Sequence, residues 1–222
     1  MTSLFVTGTD TGVGKTQISS ALINLLKQRG QRVAGMKPIA SGCYMTPDGL
    51  RNDDALVLNQ QANVQLNYDV INPYAFELPI APHIAAKRVG GEIDATVIHR
   101  QFHQIQKKAD SVVVEGAGGW FVPINNNLTM ADVAIRLGLP VVLVVGVQLG
   151  CISHALLTVE AIKCSGLPFY GWVANNIVEN TESDAIVESL KERIPVPCLG
   201  VVPVLSASQV VMDHITLLAS GK

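Results

Sequence analysis

Short runs of apolar, often β-branched residues recur along the chain, and a stretch with helical spacing of apolar positions follows most of them. The runs are nearly continuous rather than alternating, which is typical of strands that are covered on both faces of a sheet. The predicted strands are residues 3–6, 32–36, 111–114, 141–145, 170–174 and 198–202, and helices are predicted at residues 16–28, 154–164 and 183–193. This alternation predicts an α/β fold, a single domain over residues 1–222 with a parallel β-sheet and helices on both faces.

The segment from residue 43 to residue 82 interrupts the regular pattern, because it is richer in Asn, Pro and other polar residues. It contains no apparent repeat, and it is interpreted as a functional insertion rather than a linker. In open parallel sheets, ligands bind beyond the carboxyl ends of the strands. Functional residues are therefore expected at the carboxyl ends of the predicted strands.

A glycine-rich loop, GTDTGVGKT, follows the first predicted strand and leads directly into a helix. Such a turn presents backbone N–H groups and the positive end of the helix dipole to a phosphate. Lys15 can reach the β- and γ-phosphates, and the Thr16 hydroxyl can bind Mg²⁺. Thr9 stands at the first glycine position of the usual pattern, with Gly8 one residue earlier. The strand before the loop, the helix after it and the intact GKT triplet favour a nucleoside triphosphate site in a P-loop NTPase (Rossmann-like) fold over an ordinary turn.

Charged residues at two further strand ends are candidates for completing this site. Glu115 ends the apolar strand SVVVE, which is the position of a Walker B acid. Asp53 and Asp54 open a predicted helix, where they can either cap the helix or reach a metal ion. Lys37 ends the second strand and precedes a proline that favours an extended backbone. It is either a solvent lysine or a second cation for the transferred phosphoryl group.

Three other polar groups are less specific. The pair Asn175-Asn176 closes a strand, where the amides can read an adenine edge or simply form a turn. The helix that begins at residues 150–153 follows a strand directly and forms a second anion site. His99 and His103 share a helix face, but no third ligand is evident, which argues against catalytic zinc.

Composition narrows the class of protein. The chain has 222 residues, a formal net charge of −2 and only 15% charged residues, so it has no basic surface for nucleic acid. With 48% hydrophobic residues, disorder is excluded, and the low charge is consistent with a compact domain or with surface covered by a partner. The longest apolar run has nine residues, whereas a membrane span needs about 20. Four scattered cysteines and the absence of a signal sequence predict a cytoplasmic protein with reduced thiols that binds no membrane.

Several segments together resemble dethiobiotin synthetases over roughly residues 1–205, namely GTDTGVGKT, AGMKPIASG, TPDGLRNDDALVL, VINPYAFELPIAPHIAA, VVVEGAGGWFVPI, LPVVLVVGVQLGCISHALLT and GWVANN. The resemblance implies that the chain forms dethiobiotin, ADP and phosphate from 7,8-diaminopelargonate, CO₂ and MgATP. It implies the following roles: catalysis by Lys37, Lys15 and Thr11; nucleotide binding by Gly12, Val13, Gly14, Lys15, Thr16, Gln17, Asp54, Glu115, Gly116, Ala117, Gly118, Asn175 and Asn176; Mg²⁺ binding by Thr16, Asp54 and Glu115; and substrate binding by Ser41, Gly150, Cys151 and Ile152. The last three residues would act across the interface of a homodimer.

The chain departs from the family pattern in two places. Gly12 replaces a bulkier residue that is common at that loop position, which predicts a more mobile loop or a wider choice of nucleotide. The tail after Pro203 matches the family poorly. The sequence therefore does not predict that residues 204–206 contact the base or the ribose. Two other functions remain as alternatives, a related amide-forming P-loop synthetase such as a cobyrinate amidation domain and a ParA/MinD-like ATPase switch. The switch is disfavoured because positions 9–13 contain no lysine and no basic or amphipathic tail is evident.

Overall fold

The computed structural model describes residues 3–204 and 210–219. In chain order its elements are β1 (Leu4–Gly8), α1 (Lys15–Gln28), β2 (Val33–Met36), β3 (Ile39–Ser41), β4 (Tyr44–Thr46), β5 (Gly49–Arg51), α2 (Asp53–Gln61), α3 (Tyr68–Ile71), β6 (Tyr74–Phe76), α4 (Pro82–Arg88), α5 (Ala95–Gln106), β7 (Ser111–Gly119), α6 (Met130–Leu137), β8 (Val141–Val147), α7 (Cys151–Cys164), β9 (Phe169–Asn176), α8 (Ser183–Arg193), β10 (Cys198–Val202) and a 3₁₀ turn (Val211–His214).

Six of these strands form one parallel sheet in the order β10-β9-β8-β1-β7-β2. All six predicted strands are present, and the predicted α/β class is confirmed. Leu4 and Val6 of the central strand β1 pack towards α1, while Phe5 packs into the cluster that contains α5, α6 and α7. Helices therefore cover both faces of the sheet, which explains why the strand sequences are apolar without alternation.

Strand β7 is longer than predicted. The prediction ends this strand at residue 114, whereas the structure keeps residues 115–119 in the strand, with an irregular register between Val6 and Gly8 of β1. The small residues that suggested a corner instead allow close approach, because a Cβ atom on Gly116 would lie 3.4 Å from the Phe5 ring. The strand thereby carries Glu115 past the end of its neighbour β2.

The predicted insertion folds into short elements at one end of the sheet. Its strand β6 pairs in parallel with β3, which lies just before the insertion, and β4 and β5 form an antiparallel hairpin. Helices α2 and α3 lie against the edge strand β2 of the main sheet. Across the described ranges, none of the helices has the length and apolar character needed to cross a membrane.

Candidate active site

The phosphate loop lies at the carboxyl end of the central strand and leads into α1. Gly14 caps this helix with a φ of 89°, a left-handed conformation that favours glycine. Lys15 is only 7% exposed, and its Nζ donates a hydrogen bond of 2.8 Å to the carbonyl of Asp10. Burial, together with the charge of Lys37, lowers the pKa of Lys15 to about 8. The loop thus holds a buried cation next to a free helix N-terminus, as an anion site requires.

Asn175 supports this loop from behind. Its Nδ2 donates a hydrogen bond of 2.9 Å to the carbonyl of Val13, and the side chain is buried. A Cβ atom on Gly14 would overlap the Asn175 amide, so the glycine is required by space as well as by its φ. Gly12 also has a positive φ, of 76°, but nothing lies within 4 Å of the position that its Cβ would take.

Four side chains from four different elements converge beside the loop. Lys37 follows β2, and its Nζ lies 2.5 Å from Glu115 Oε1 and 3.0 Å from Asp54 Oδ2. The Thr16 hydroxyl donates to the same Glu115 oxygen at 3.0 Å. Lys37 and Glu115 are 5% and 1% exposed, so this ion pair is almost fully removed from water.

The charges of this cluster stabilise one another. Burial opposes the charged form of Lys37, but Glu115 and Asp54 raise the pKa of its ammonium group above the usual value. Burial also opposes ionisation of Asp54, yet Lys37 and a hydrogen bond from Thr16 hold the pKa of this carboxyl below its usual range. Because a buried charge is tolerated only when it is paired, the lysine and the two carboxylates depend on each other.

The same cluster suits a divalent cation with hard oxygen ligands. Glu115 Oε2 is buried and has no hydrogen-bond partner among the described residues. Together with the Thr16 hydroxyl and the partly exposed Asp54 carboxylate, it forms the donor set that Mg²⁺ takes in nucleotide sites. The residues present therefore fit this ion.

Asp53 and Asp54 could each cap α2, but a neighbouring residue takes that position. Asn52 caps α2, since its side chain accepts a hydrogen bond from the N–H of Ala55. The capping interpretation of the two aspartates is therefore wrong. Asp53 accepts a hydrogen bond from the Tyr44 hydroxyl at the surface, and only Asp54 reaches the cluster.

A cleft of about 650 Å³ opens from this cluster, and a volume of that size is ordinary for a small-molecule site. Thr11 and Ser41 both line the cleft. The Ser41 hydroxyl is buried without a partner among the described residues, so it is available to a ligand. The predicted residues that line the cleft are Thr11, Gly12, Gly14, Lys15, Thr16, Gln17, Lys37, Ser41, Asp54, Glu115, Ala117 and Gly118.

Sequence reasoning missed an apolar wall of the cleft. Residues 79–82 line it together with Ile39 and Val122. The signal was the segment ELPIAPH, whose prolines lie within the predicted insertion but carry no ionisable group. Residues without ionisable groups give no chemical signal in the sequence, although an apolar wall can exclude water from a site.

Val13, Gly116 and two further groups of predicted residues do not line this cleft. Asn175 and Asn176 do not line it, and their amide nitrogens donate to the carbonyls of Val13 and Val202, although Asn176 Oδ1 is buried without a partner in the described chain. At the start of α7, the N–H of Cys151 donates to the carbonyl of Gln148 at 3.0 Å. Of residues 204–206, from which the sequence does not predict base or ribose contacts, residues 205 and 206 lie outside the described residues.

The two histidines share one face of α5, as their spacing predicts. His99 and His103 lie with their Nε2 atoms 3.0 Å apart. Within residues 3–204 and 210–219, no three His, Cys, Asp or Glu side chains are grouped closely enough to hold a metal ion.

Comparison with known proteins gives the family. A family model described as an AAA domain matches residues 2–210. The ATP-dependent dethiobiotin synthetase BioD of Vibrio vulnificus is 49% identical over 210 residues, which cover 94% of this chain and 92% of the relative. The enzyme named BioD 1 of Escherichia coli K12 is 47% identical over 203 residues, covering 91% and 90%. The chain belongs to the dethiobiotin synthetase family.

Solved structures of more distant proteins share the fold. MinD in the MinC:MinD complex of Aquifex aeolicus gives a TM-score of 0.57 at 19% identity, covering 91% of this chain and 81% of that one. The signal recognition particle receptor FtsY of Elizabethkingia anophelis gives 0.59 at 14% identity, covering 98% and 60%. At these identities the likeness concerns the fold alone, so it adds no support to an ATPase switch.

Proposed function

We propose that this chain closes the ureido ring of dethiobiotin in biotin biosynthesis, using 7,8-diaminopelargonate, CO₂ and ATP and releasing ADP and phosphate. Membership of the family makes the chain an ATP-dependent ligase. One observation carries the proposal for its residues: two buried lysines and two carboxylates meet at the end of a cleft that Ser41 also lines. The Ser41 hydroxyl has no hydrogen-bond partner among the described residues.

The nucleotide would bind with its phosphates at residues Gly12–Gln17, where Lys15 exchanges the Asp10 carbonyl for phosphate oxygens. Thr16, Asp54 and Glu115 would hold Mg²⁺, which supplies positive charge to the β- and γ-phosphates. Ala117 and Gly118 line the same end of the cleft, and the carbonyl of the preceding Gly116 accepts a hydrogen bond from Lys37. Asn175 and Asn176 are the residues proposed for the adenine, and Asn176 Oδ1 has no hydrogen-bond partner among the described residues.

The chemistry requires positioning and charge rather than a nucleophilic side chain. One amine of the substrate adds to CO₂ and gives a carbamate, whose oxygen attacks the γ-phosphate and releases ADP. The second amine then attacks the carbonyl carbon of the mixed carbamic–phosphoric anhydride and expels phosphate. Lys15 and Lys37 would neutralise the charge that develops on the transferred group, with Thr11 beside them, and Ser41 would bind the diamine or its carbamate.

We further infer that the functional unit is a homodimer. The N-terminus of α7, at Gly150, Cys151 and Ile152, would bind the substrate carboxylate of the neighbouring subunit, because it does not line the cleft of its own chain. Leu149 beside it is 99% exposed, which is unusual for leucine and fits a contact surface. A monomeric sedimentation profile at micromolar concentration would contradict this part of the proposal.

We also propose that the enzyme acts in the cytoplasm. The free thiols of its four cysteines support this location. We also infer that residues 1–222 act as a single domain, since the family model spans residues 2–210.

A direct assay tests the proposal. The purified protein is incubated with MgATP, 7,8-diaminopelargonate and carbon-13-labelled bicarbonate, and the product is followed by mass spectrometry. We expect dethiobiotin with the label in the ureido carbonyl, and one ADP per product. Reactions without ATP and reactions with a Lys37→Ala variant are the controls. Nucleotide binding without labelled dethiobiotin would rule out the proposed activity.

A further inference from the structure

Three hydrogen bonds run in one direction from the cap of α2 to the backbone of Lys37. The N–H of Asn52 donates to the Tyr68 hydroxyl at 2.8 Å. The Tyr68 hydroxyl donates to Asn72 Oδ1 at 2.8 Å, and Asn72 Nδ2 donates to the carbonyl of Lys37 at 2.7 Å. Each polar group in this relay thus has a partner within the relay itself.

The two ends of the relay carry the two groups that meet in the active site. Asn52 caps α2 two residues before Asp54, while Lys37 supplies the ammonium group that lies 3.0 Å from the Asp54 carboxylate. The relay reaches each group through the backbone, since neither Tyr68 nor Asn72 lines the cleft. Residues of this kind act by holding others in place.

The short helix α3 fixes Lys37 on both sides of its backbone. The N–H of Lys37 donates to the carbonyl of Ile71 at 2.9 Å, and the carbonyl of Lys37 accepts from Asn72, which directly follows α3. The Asn72 N–H in turn donates to the carbonyl of Tyr68 at 2.8 Å. Lys37 therefore depends on α3 for its position, while its neighbour Pro38 has no N–H group with which to add a further bond.

We propose that Tyr68 and Asn72 are positioning residues that keep the Lys37 ammonium group and the Asp54 carboxylate in register with each other. This inference rests on the proposed function of those two groups. Hydrogen bonds that run in one direction polarise one another. We therefore expect that the loss of one bond in the relay weakens the bonds at both of its ends.

The surroundings of Tyr68 suit this task. The Arg51 guanidinium lies over the Tyr68 ring, 4.2 Å from its centroid, and fixes the ring independently of the hydroxyl. Burial raises the pKa of Tyr68 to about 12, so its hydroxyl keeps its proton, and can donate, at neutral pH. Asn72 is 2% exposed, so its side chain is shielded from bulk water.

The experiment compares Tyr68→Phe with the matched variant Tyr170→Phe. The Tyr170 hydroxyl also accepts a backbone N–H, that of Leu218 at 3.0 Å, but it lies on β9 away from the cleft. For each protein we would measure kcat, KM for ATP, thermal stability, and the affinity for Mn²⁺ in the presence of a non-hydrolysable ATP analogue by electron paramagnetic resonance. Mn²⁺ is the probe for the Mg²⁺ site.

For Tyr68→Phe we expect kcat and the Mn²⁺ affinity each to fall about tenfold, with KM for ATP nearly unchanged, since residues behind a metal site commonly have effects of this size. Tyr170→Phe should lose a similar amount of stability and keep both values. Asn72→Ala, which removes the partner of both Tyr68 and Lys37, should act in the same direction with a larger fall in kcat.

A Tyr68→Phe protein that loses only stability, or whose kcat and Mn²⁺ affinity do not change together, would overturn the proposal. The metal measurement does not need turnover. It therefore tests the relay even if the wild-type protein forms no dethiobiotin, and the two failures can be told apart.

Discussion

Two helices of this molecule begin in nearly the same way. Helices α1 and α7 each have 14 residues, and each follows one of two neighbouring strands, β1 and β8, at the same edge of the sheet. Their caps are Gly14 and Gly150, with φ angles of 89° and 90° and no side-chain cap. By local geometry alone, each presents a helix N-terminus to an anion.

Their surroundings differ completely. At α1 the first residue, Lys15, is buried, and Thr16 is bonded to Glu115 from another strand. At α7 the residue before the cap, Leu149, is 99% exposed, and the N–H of Cys151 is already bonded to Gln148. A helix start becomes a candidate reaction site only when other elements bring charges and walls to it, and among the described residues of one chain they do so at α1.

The largest effect is expected from removing the second cation at α1. Lys37→Ala should lower kcat by a factor of 100 or more, roughly 3 kcal/mol in the transition state, because no other group replaces its charge on the transferred phosphoryl. ATP binding should persist, since Lys15 and the loop remain. Lys191→Ala is the matched control, because Lys191 also pairs with a carboxylate, that of Glu188, but at the surface. Normal turnover of the Lys37 variant would remove Lys37 from the mechanism.

The two caps themselves can be compared by one substitution. Gly14→Ala should lower the free energy of unfolding by about 3 kcal/mol, because the strain of a positive φ adds to the overlap with Asn175. Gly150→Ala should lower it by only about 1 kcal/mol, since no atom lies within 4 Å of the new Cβ position. Urea denaturation gives both values. Equal losses would mean that the two helix starts are alike in packing as well as in φ.

Asp54 is expected to bind Mg²⁺, whereas its neighbour Asp53 is not. Asp54→Asn should raise the Mg²⁺ concentration for half-maximal turnover about tenfold, because the variant loses a charged oxygen ligand. Asp53→Asn should leave it unchanged, since Asp53 binds the Tyr44 hydroxyl at the surface. Both variants should have melting temperatures close to that of wild type, because Asn52 provides the cap of α2. A large loss of melting temperature in Asp54→Asn with an unchanged Mg²⁺ response would favour a structural role.

The sequence predicts α1 and its loop far better than it predicts the rest of the site. The loop residues are consecutive, so the spacing of Gly14, Lys15 and Thr16 in the sequence determines the local geometry of the loop. Glu115 was predictable because it ends an apolar strand, and parallel strands end at one edge. The positions of Asp54, within the insertion, and of Ser41, just before it, follow from tertiary packing that no periodicity describes. The resemblance to a family supplied their roles.

Other features could not be predicted for the same reason. The continued pairing of residues 115–119 depends on how closely β7 approaches Phe5 and Gly8, and glycines in sequence indicate a turn as readily as a close approach. The relay through Tyr68 and Asn72 joins residues up to 35 positions apart, and such bonds are set by tertiary packing.

The smallest expected effect concerns the charge of Lys15, which has no counterpart at the start of α7. Burial lowers the pKa of Lys15 to about 8 in the free protein, and the negative charge of bound phosphates raises it. Above pH 8, ATP binding must therefore take up a proton, so the affinity falls as the pH rises. Between pH 7.5 and 8.5 we expect the affinity to fall about threefold, and calorimetry in buffers of different ionisation enthalpy should detect the proton uptake. A Lys15→Arg variant, which stays charged throughout, should bind ATP without this slope. If the ATP affinity of the Lys15→Arg variant falls equally with pH, the titrating group is not Lys15. The burial of Lys15 would then have no effect on the pH dependence of binding.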